Sequence, residues 1–306
     1  MTDRVRFGFS SYSFHTKLST GEMTLAEVID WVAASEGEHL ELAILSDDGP
    51  EGSTPGIGSD PAYVASVRRK AADAGVRLSS LAVGADLTSA DPTEHAAQVA
   101  RVKQYVDLAE SLGIRQMRHD VAPHPPVSGD DTVAFESVLP RIVDGARQIA
   151  RYAAERGITT SLENHGFFVQ SADRVRRIIH AVDQPNFRTT LDVGNFVCVD
   201  EDPVASVTAN LPHAMVVHLK DFYIRPAKAP IGSGPDMGEG WMTSRGGKQL
   251  RGAVVGNGDL DLPGILTAIK ASDYTGDVAI EFEGWEDCLL GCERGLATAR
   301  RLLDAA

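Results

Sequence analysis

Eight short apolar runs, each followed by a longer amphipathic stretch, succeed one another along the 306 residues of this chain. The runs are VRFGFSS from Val5, HLELAIL from His39, VRLSSLAV from Val76, RQMRHDVA from Arg115, ITTSLEN from Ile158, RTTLDVG from Arg188, AMVVHLKD from Ala214 and DVAIEFEG from Asp277. They are short, bounded by turn residues and nearly continuous in apolar character, as strands covered on both faces are. Helical periodicity fills the intervals over 25–34, 62–74, 95–112, 133–155, 172–181, 203–210 and 263–271, with a last helix over about 293–303. Thr24 and Ser171 stand where N-caps belong, and Gly75, Gly113 and Gly157 each close a helical stretch ahead of a strand. Eight strand–helix units predict an α/β fold, a closed (β/α)8 TIM barrel forming a single domain over 1–306. An open doubly wound sheet is the alternative, but SSYSFH follows the first strand where that fold places a glycine-rich phosphate loop. Two connections are unusually long, about 46–60 and 222–258. Both leave strand C-termini, so they are expected over the face where such barrels carry their sites.

Charge narrows the partners. With 29 basic and 43 acidic side chains the net charge is −14, which repels phosphate backbones, so no nucleic acid is expected. No apolar run approaches the roughly 18–20 residues of a membrane span, and no membrane partner is expected either. The opening MTDRVRFGFSSYSF enters the first strand without the apolar core of a signal peptide. Three cysteines without framework spacing suit a reducing compartment, so the expected location is the cytoplasm. Cys288 and Cys292, four apart in a helical stretch, are expected to pack rather than to bind metal.

The chemistry sits at the ends of the last four runs: Glu163 in TTSLENHG, Asp192 in RTTLDVGN, His218 in MVVHLKDF and Glu281 in VAIEFEG. A charged side chain in a buried strand is costly unless it is paired or bound to a metal. Four at corresponding positions, three oxygen donors and one imidazole, describe a site for a hard or borderline divalent cation. A polar network closing the barrel mouth is the structural alternative.

The strings SLENHG, LDVGN, VHLKD and IEFEG resemble the xylose-isomerase-like TIM barrel superfamily of sugar isomerases and epimerases, which also includes endonuclease IV-like repair enzymes. The resemblance implies that Glu163, Asp192, His218 and Glu281 hold one divalent metal ion, Mn2+ first, with Mg2+, Co2+ or Zn2+ as alternatives. The repair branch uses three zinc ions and more histidines than the motifs here supply. A cation holding a sugar carbonyl and its neighbouring hydroxyl stabilises the enediolate formed when the α proton leaves. The resemblance gives the proton transfers to Glu163 and Glu281, on opposite faces of the substrate. His165, two residues after Glu163 and so on the same side of an extended segment, is a second candidate base.

Lys220, Asn195, His119, Glu41 and Arg251 are candidate substrate-binding residues, Arg251 for an anionic or hydroxylated group. Glu283 is a candidate partner of Glu281, and Tyr12, Phe14, Phe167, Phe222 and Trp241 are candidates for an apolar wall. The expected function is a divalent-metal-dependent sugar isomerase or epimerase acting on a small-molecule sugar or glycoside. A lyase is the alternative. ENH, VHLKDF and the long connection after the seventh run are similar to the large subunit of bacterial C-glycoside deglycosidases, which cleave 3-oxo-glucosides and require a small β-sandwich partner subunit. A dehydratase of inositol-type ketones would share the first step, and a non-catalytic sugar-binding barrel is the reading from another class. A homo-oligomer or the β-sandwich subunit is the protein partner considered. No glycine-rich loop before a helix follows the last two strands, which favours a non-phosphorylated substrate.

Overall fold

A computed structural model describes residues 5–44, 52–122, 131–227 and 240–306. In chain order the elements are β1 (Arg6–Ser10), α1 (His15–Thr20), α2 (Leu25–Ala34), β2 (His39–Ala43), α3 (Pro61–Ala74), β3 (Arg77–Val83), α4 (Pro92–Leu112), β4 (Gln116–His119), α5 (Asp131–Ala154), β5 (Thr159–Glu163), α6 (Ala172–Val182) and β6 (Phe187–Asp192). There follow α7 (Pro203–Asn210), β7 (Ala214–Leu219), β8 (Asp221–Arg225), β9 (Met242–Thr243), β10 (Gln249–Ala253), α8 (Leu262–Ala271), β11 (Asp277–Ile280) and α9 (Cys288–Ala305). Eight parallel strands close into a single-domain (β/α)8 barrel in the order β1-β11-β7-β6-β5-β4-β3-β2. Seven lie within the apolar runs, and β6 begins at Phe187, one residue ahead of its run. Closure leaves the barrel no edge strand.

Alternation along the strands sorts side chains between two environments. Leu162 and Leu191 are fully buried, as are Leu40, Leu81, Met117, Val217 and Val278. The neighbours of Leu162 and Leu191 face the interior, where Ser161 Oγ and Thr190 Oγ1 bond at 2.8 Å one step below Glu163 and Asp192. The register pairs Glu163 with Thr190 and Asp192 with His218, so the last residues of β5 and β6 arrive at the mouth together.

Helix ends follow local chemistry. Thr24 and Glu27 form a full capping box, and Gly75 ends α3 at φ +73, a left-handed turn that favours glycine. Ser171 makes no side-chain cap bond; the Glu201 carboxylate accepts the Ala172 N–H instead. Two helices start earlier than their periodicity suggests. Asp91 caps α4 at Pro92, and Asp287 caps α9 at Cys288. Cys292 is fully buried in α9, and among the described residues no metal-binding group forms around it or Cys288.

The long connection after β7 has secondary structure of its own. Among its described residues it carries β8, β9 and β10, an antiparallel sheet of order β8-β10-β9. Asp221 anchors it by accepting the N–H groups of Phe222, Gly256, Gly258 and Leu260. Gly252 lets it lie against the end of β11: a Cβ there would stand 2.3 Å from the Glu283 carbonyl oxygen. Residues 228–239 of this connection, and 46–51 of the one after β2, lie outside the described residues; 52–59 form neither helix nor strand. Among the described residues no helix is long and apolar enough to cross a membrane.

Candidate metal centre

Glu163, Asp192, His218 and Glu281 come from the C-terminal ends of β5, β6 and β7 and from the residue after β11, four neighbours in the barrel. All four are buried, and one ligand atom from each lies within 4.8 Å of the others. The protein ties up the second polar atom of each. Arg118 Nη2 pairs with Glu163 Oε2 at 2.7 Å, and Lys220 Nζ with Glu281 Oε2 at 2.8 Å. Asp192 Oδ1 accepts the N–H groups of Gly194 and Asn195. His218 Nε2 meets the Glu41 carboxylate at 2.9 Å. What is left over faces inward: His218 Nδ1 lies 3.4 Å from Glu163 Oε1 and 3.5 Å from Glu281 Oε1. His218 Nδ1 and Asp192 Oδ2 are buried without a hydrogen-bond partner, although Lys220 Nζ stands 3.2 Å from the latter. Orphaned buried atoms of this kind, in a set of three carboxylates and one imidazole, fit a divalent cation.

The electrostatics of the metal-free chain fit as well. Burial works against a charged His218, but Glu41 and Glu281 carry its imidazole well above the usual range. Such a shift favours the protonated imidazole in the metal-free chain, and metal binding should release that proton. Burial lifts the Asp192 carboxyl to about 7, with Lys220 pulling the other way. Burial also opposes ionisation of Glu281, yet Lys220 and His218 hold it well below the usual carboxylate range.

The structure brings some of the other candidates to this centre and not others. Lys220 is buried and contacts Asp192, Glu281 and Glu283. Asn195 is buried, with Oδ1 3.5 Å from Lys220 Nζ and Nδ2 unpartnered. Glu41 is fully buried beneath His218, where it also accepts from Ser80. His165 is half-exposed, with Nδ1 3.4 Å from Asp120 Oδ1. Burial works to lower its pKa, but Asp120 prevails and raises it. His119 turns the other way: Arg118 faces the interior, and the fully buried His119 ring lies 6.0 Å from Phe187 on the opposite side of β4. Its burial pushes its pKa down to about 4. Arg251 lies on β10 between the rings of Tyr223 and Trp241. Phe14 and Phe222 are in the core, whereas Tyr12 stacks on His15, with its hydroxyl raised chiefly by the Glu283 carboxylate.

Three positioning residues were not among the candidates. Arg118 bridges Glu163 and Asp120, and Asp120, held at about 2 by Arg118 and His165 against the effect of burial, links that pair to His165. Asn164 extends the β5–β6 ladder with its side chain, donating to the Asp192 carbonyl and accepting the Asp192 N–H. Alternation along MRHD places Arg118, not His119, on the side of the strand that meets Glu163.

A closed (β/α)8 barrel with a buried group of three carboxylates and an imidazole, able to hold a metal ion, at the C-terminal ends of adjacent strands defines the class. The family model for the xylose isomerase-like TIM barrel matches residues 29–304, and the chain belongs to that family. Curated relatives are L-ribulose-5-phosphate 3-epimerases UlaE. The protein from Salmonella paratyphi C is 23% identical over 237 residues, 75% of this chain and 72% of the relative. That from Shigella flexneri is 24% identical over 157 residues, where the match spans about half of each, 49% of this chain and 52% of the relative. Among solved structures, D-allulose 3-epimerase from Methylomonas sp. superimposes with a TM-score of 0.72 at 17% identity, covering 98% of both chains. The zinc-bound IOLI protein gives 0.71 at 16% identity, covering 97% of this chain and 96% of the other. At these identities the structural likenesses establish the fold alone.

Proposed function

We propose that this chain is a divalent-metal-dependent enzyme that removes the proton α to the carbonyl of a sugar and returns one to give an isomer or epimer. The observation that carries this is the division of labour within each ligand: one polar atom is held by the protein and the other is left for a common centre. A bound cation, Mn2+ first among the candidates, would polarise the sugar carbonyl and stabilise the negative charge of the enediolate. The chain's own residues do the rest. Glu163 and Glu281 are the proton-transfer groups, and Lys220 keeps Glu281 ionised, hence ready to accept a proton at neutral pH. The unpartnered Asn195 Nδ2 is a donor for a sugar hydroxyl. The sugar epimerase names of the curated relatives support this class of substrate.

A second reading is favoured by the His165–Asp120 pair. Asp120 orients the half-exposed imidazole, leaving Nε2 as a base beside the centre. If the substrate carries a leaving group β to the carbonyl, the same proton removal ends in elimination. The protein would then be a lyase, as for 3-oxo-C-glucosides, working with a small β-sandwich subunit.

Solvent deuterium exchange on keto-sugars and 3-oxo-glucosides, with and without EDTA, tests both. Exchange at the α-carbon that chelation stops is the expected result, and a stereoisomer or a freed aglycone distinguishes the two outcomes. Exchange indifferent to EDTA and to Asp192→Asn would refute the metal-dependent step.

A further inference from the structure

Among the described residues, the small sheet carries two arginines without a carboxylate partner. Its register sets Arg251 opposite Tyr223 and Gln249 opposite Arg225, so Tyr223, Arg225 and Arg251 share one face. Phe222, Leu250 and Gly252 occupy the other face, which is buried and lies against the end of β11. Leu250 pairs with Met242, which brings Trp241 alongside Arg251 from the β9 side. The Arg251 guanidinium is 5.2 Å from the Tyr223 ring centre and 5.1 Å from that of Trp241. The Arg225 guanidinium stands 4.1 Å from the same Trp241 ring, which is itself only 5% exposed.

Two like charges on diagonal positions of one sheet face repel each other. Among the described residues no carboxylate pairs with either, in a chain with 43 acidic and 29 basic side chains. Their neighbours in the same insertion behave otherwise: Arg245 reaches Asp131 at 3.6 Å and Lys248 reaches Asp200 at 3.4 Å. Stacking on aromatic rings holds a guanidinium plane in place without consuming its N–H donors, and the fork of donors that remains matches the oxygens of a phosphate or carboxylate.

We propose that Arg225 and Arg251 form an oxyanion clamp, a binding site on the small sheet for a phosphate or carboxylate group of a small molecule. The sheet continues β7 beyond Lys220, so the clamp stands on the C-terminal side of the barrel; five residues of chain place the Arg225 Cα at most about 17 Å from that of Lys220. It supplies by side chains what the helix-borne phosphate loop, missing from the sequence, would otherwise provide. The assignment goes beyond the enolisation reading and does not depend on it.

Calorimetric titration of the metal-free full-length protein at low ionic strength is the test, with inorganic phosphate, a sugar phosphate and a hexuronate as probes. The expected result is saturable binding that weakens with added salt, unchanged in Asp192→Asn and about ten- to hundredfold weaker in Arg251→Gln and in Arg225→Gln. A sugar phosphate or hexuronate binding more tightly than phosphate identifies an anion carried on a sugar. Equal affinities identify a site for the free ion. Arg225 is exposed, so Arg225→Gln leaves the buried face of the sheet intact and keeps the test valid if Arg251→Gln folds poorly. Absence of binding by all three probes, or wild-type affinity in Arg225→Gln, would overturn the clamp. Neither metal nor turnover enters the readout, so failure here is distinguishable from failure of the enolisation reading.

Discussion

Replacing Glu41 by Gln would test how the centre holds its imidazole. Glu41 has no solvent exposure and His218 has 1%, and their contact of 2.9 Å fixes the ring so that Nδ1 faces Glu163 and Glu281. The amide keeps the shape of the carboxylate but removes the negative charge that makes Nδ1 a strong donor. Changes to an outer partner of this kind lower metal affinity by about 10- to 100-fold, or roughly 1.4–2.7 kcal/mol. A cation at 100 times its dissociation constant stabilises the wild-type fold by about 2.7 kcal/mol. At the same concentration a variant binding 100-fold more weakly gains only about 0.4 kcal/mol. Titration calorimetry with Mn2+ gives the first quantity, and urea unfolding with and without Mn2+ gives the second. If Glu41→Gln binds Mn2+ as tightly as the wild type and gains the same stability from it, Glu41 does not prepare His218 and the proposed centre is wrong.

Other perturbations probe the remaining parts. Burial lifts Asp192 to about 7 in the metal-free chain, so between about pH 4 and 7 the folded state keeps a proton that the unfolded state releases. This group's contribution to stability therefore falls as pH rises through that window. Metal-free Asp192→Asn should lose less stability than the wild type between pH 5 and 8 and should not bind Mn2+; parallel urea-unfolding profiles for the two would contradict the assignment. His165→Ala should keep its Mn2+ affinity, because the imidazole pairs with Asp120 and lies outside the ligand set, and lose α-proton exchange by about 100- to 10,000-fold if His165 is the base. Normal exchange in that variant would remove it from the mechanism. Gly252→Ala forces a Cβ to 2.3 Å from the Glu283 carbonyl oxygen and should cost about 1–3 kcal/mol in urea unfolding without changing metal affinity.

The eight barrel strands and the meeting of Glu163, Asp192, His218 and Glu281 were legible because both are written locally. A buried parallel strand must be apolar nearly throughout, so a carboxylate or imidazole at its end stands out. The small sheet was not legible. Its strands are short, β10 holds only two apolar side chains in five residues, and β8 pairs with a partner more than twenty residues away, so no short window shows its pattern. The starts of α4 and α9 were written as Asp91-Pro92 and as Asp287, N-cap signals that the weaker apolar periodicity of those first turns concealed. Arg118 and Asp120 escaped because His119, between them, is the residue type associated with catalysis. The alternation of β4 turns that imidazole away from the interior and brings its neighbours into contact with Glu163 and His165.

The contact between Glu41 on β2 and His218 on β7 joins positions 177 residues apart and crosses the interior of the barrel. All four candidate ligands reside in the second half of the chain, yet the group that aims the imidazole comes from the first. A fragment containing only residues 131–306 would carry every donor atom and still lack the anchor that orients one of them. Metal binding, if the proposed centre holds, would thus report on closure of the whole cylinder rather than on any segment of it. A cation bound here would join β2, through Glu41 and His218, to the strands that carry the other three carboxylates, and so act as a clasp across the circuit of strands.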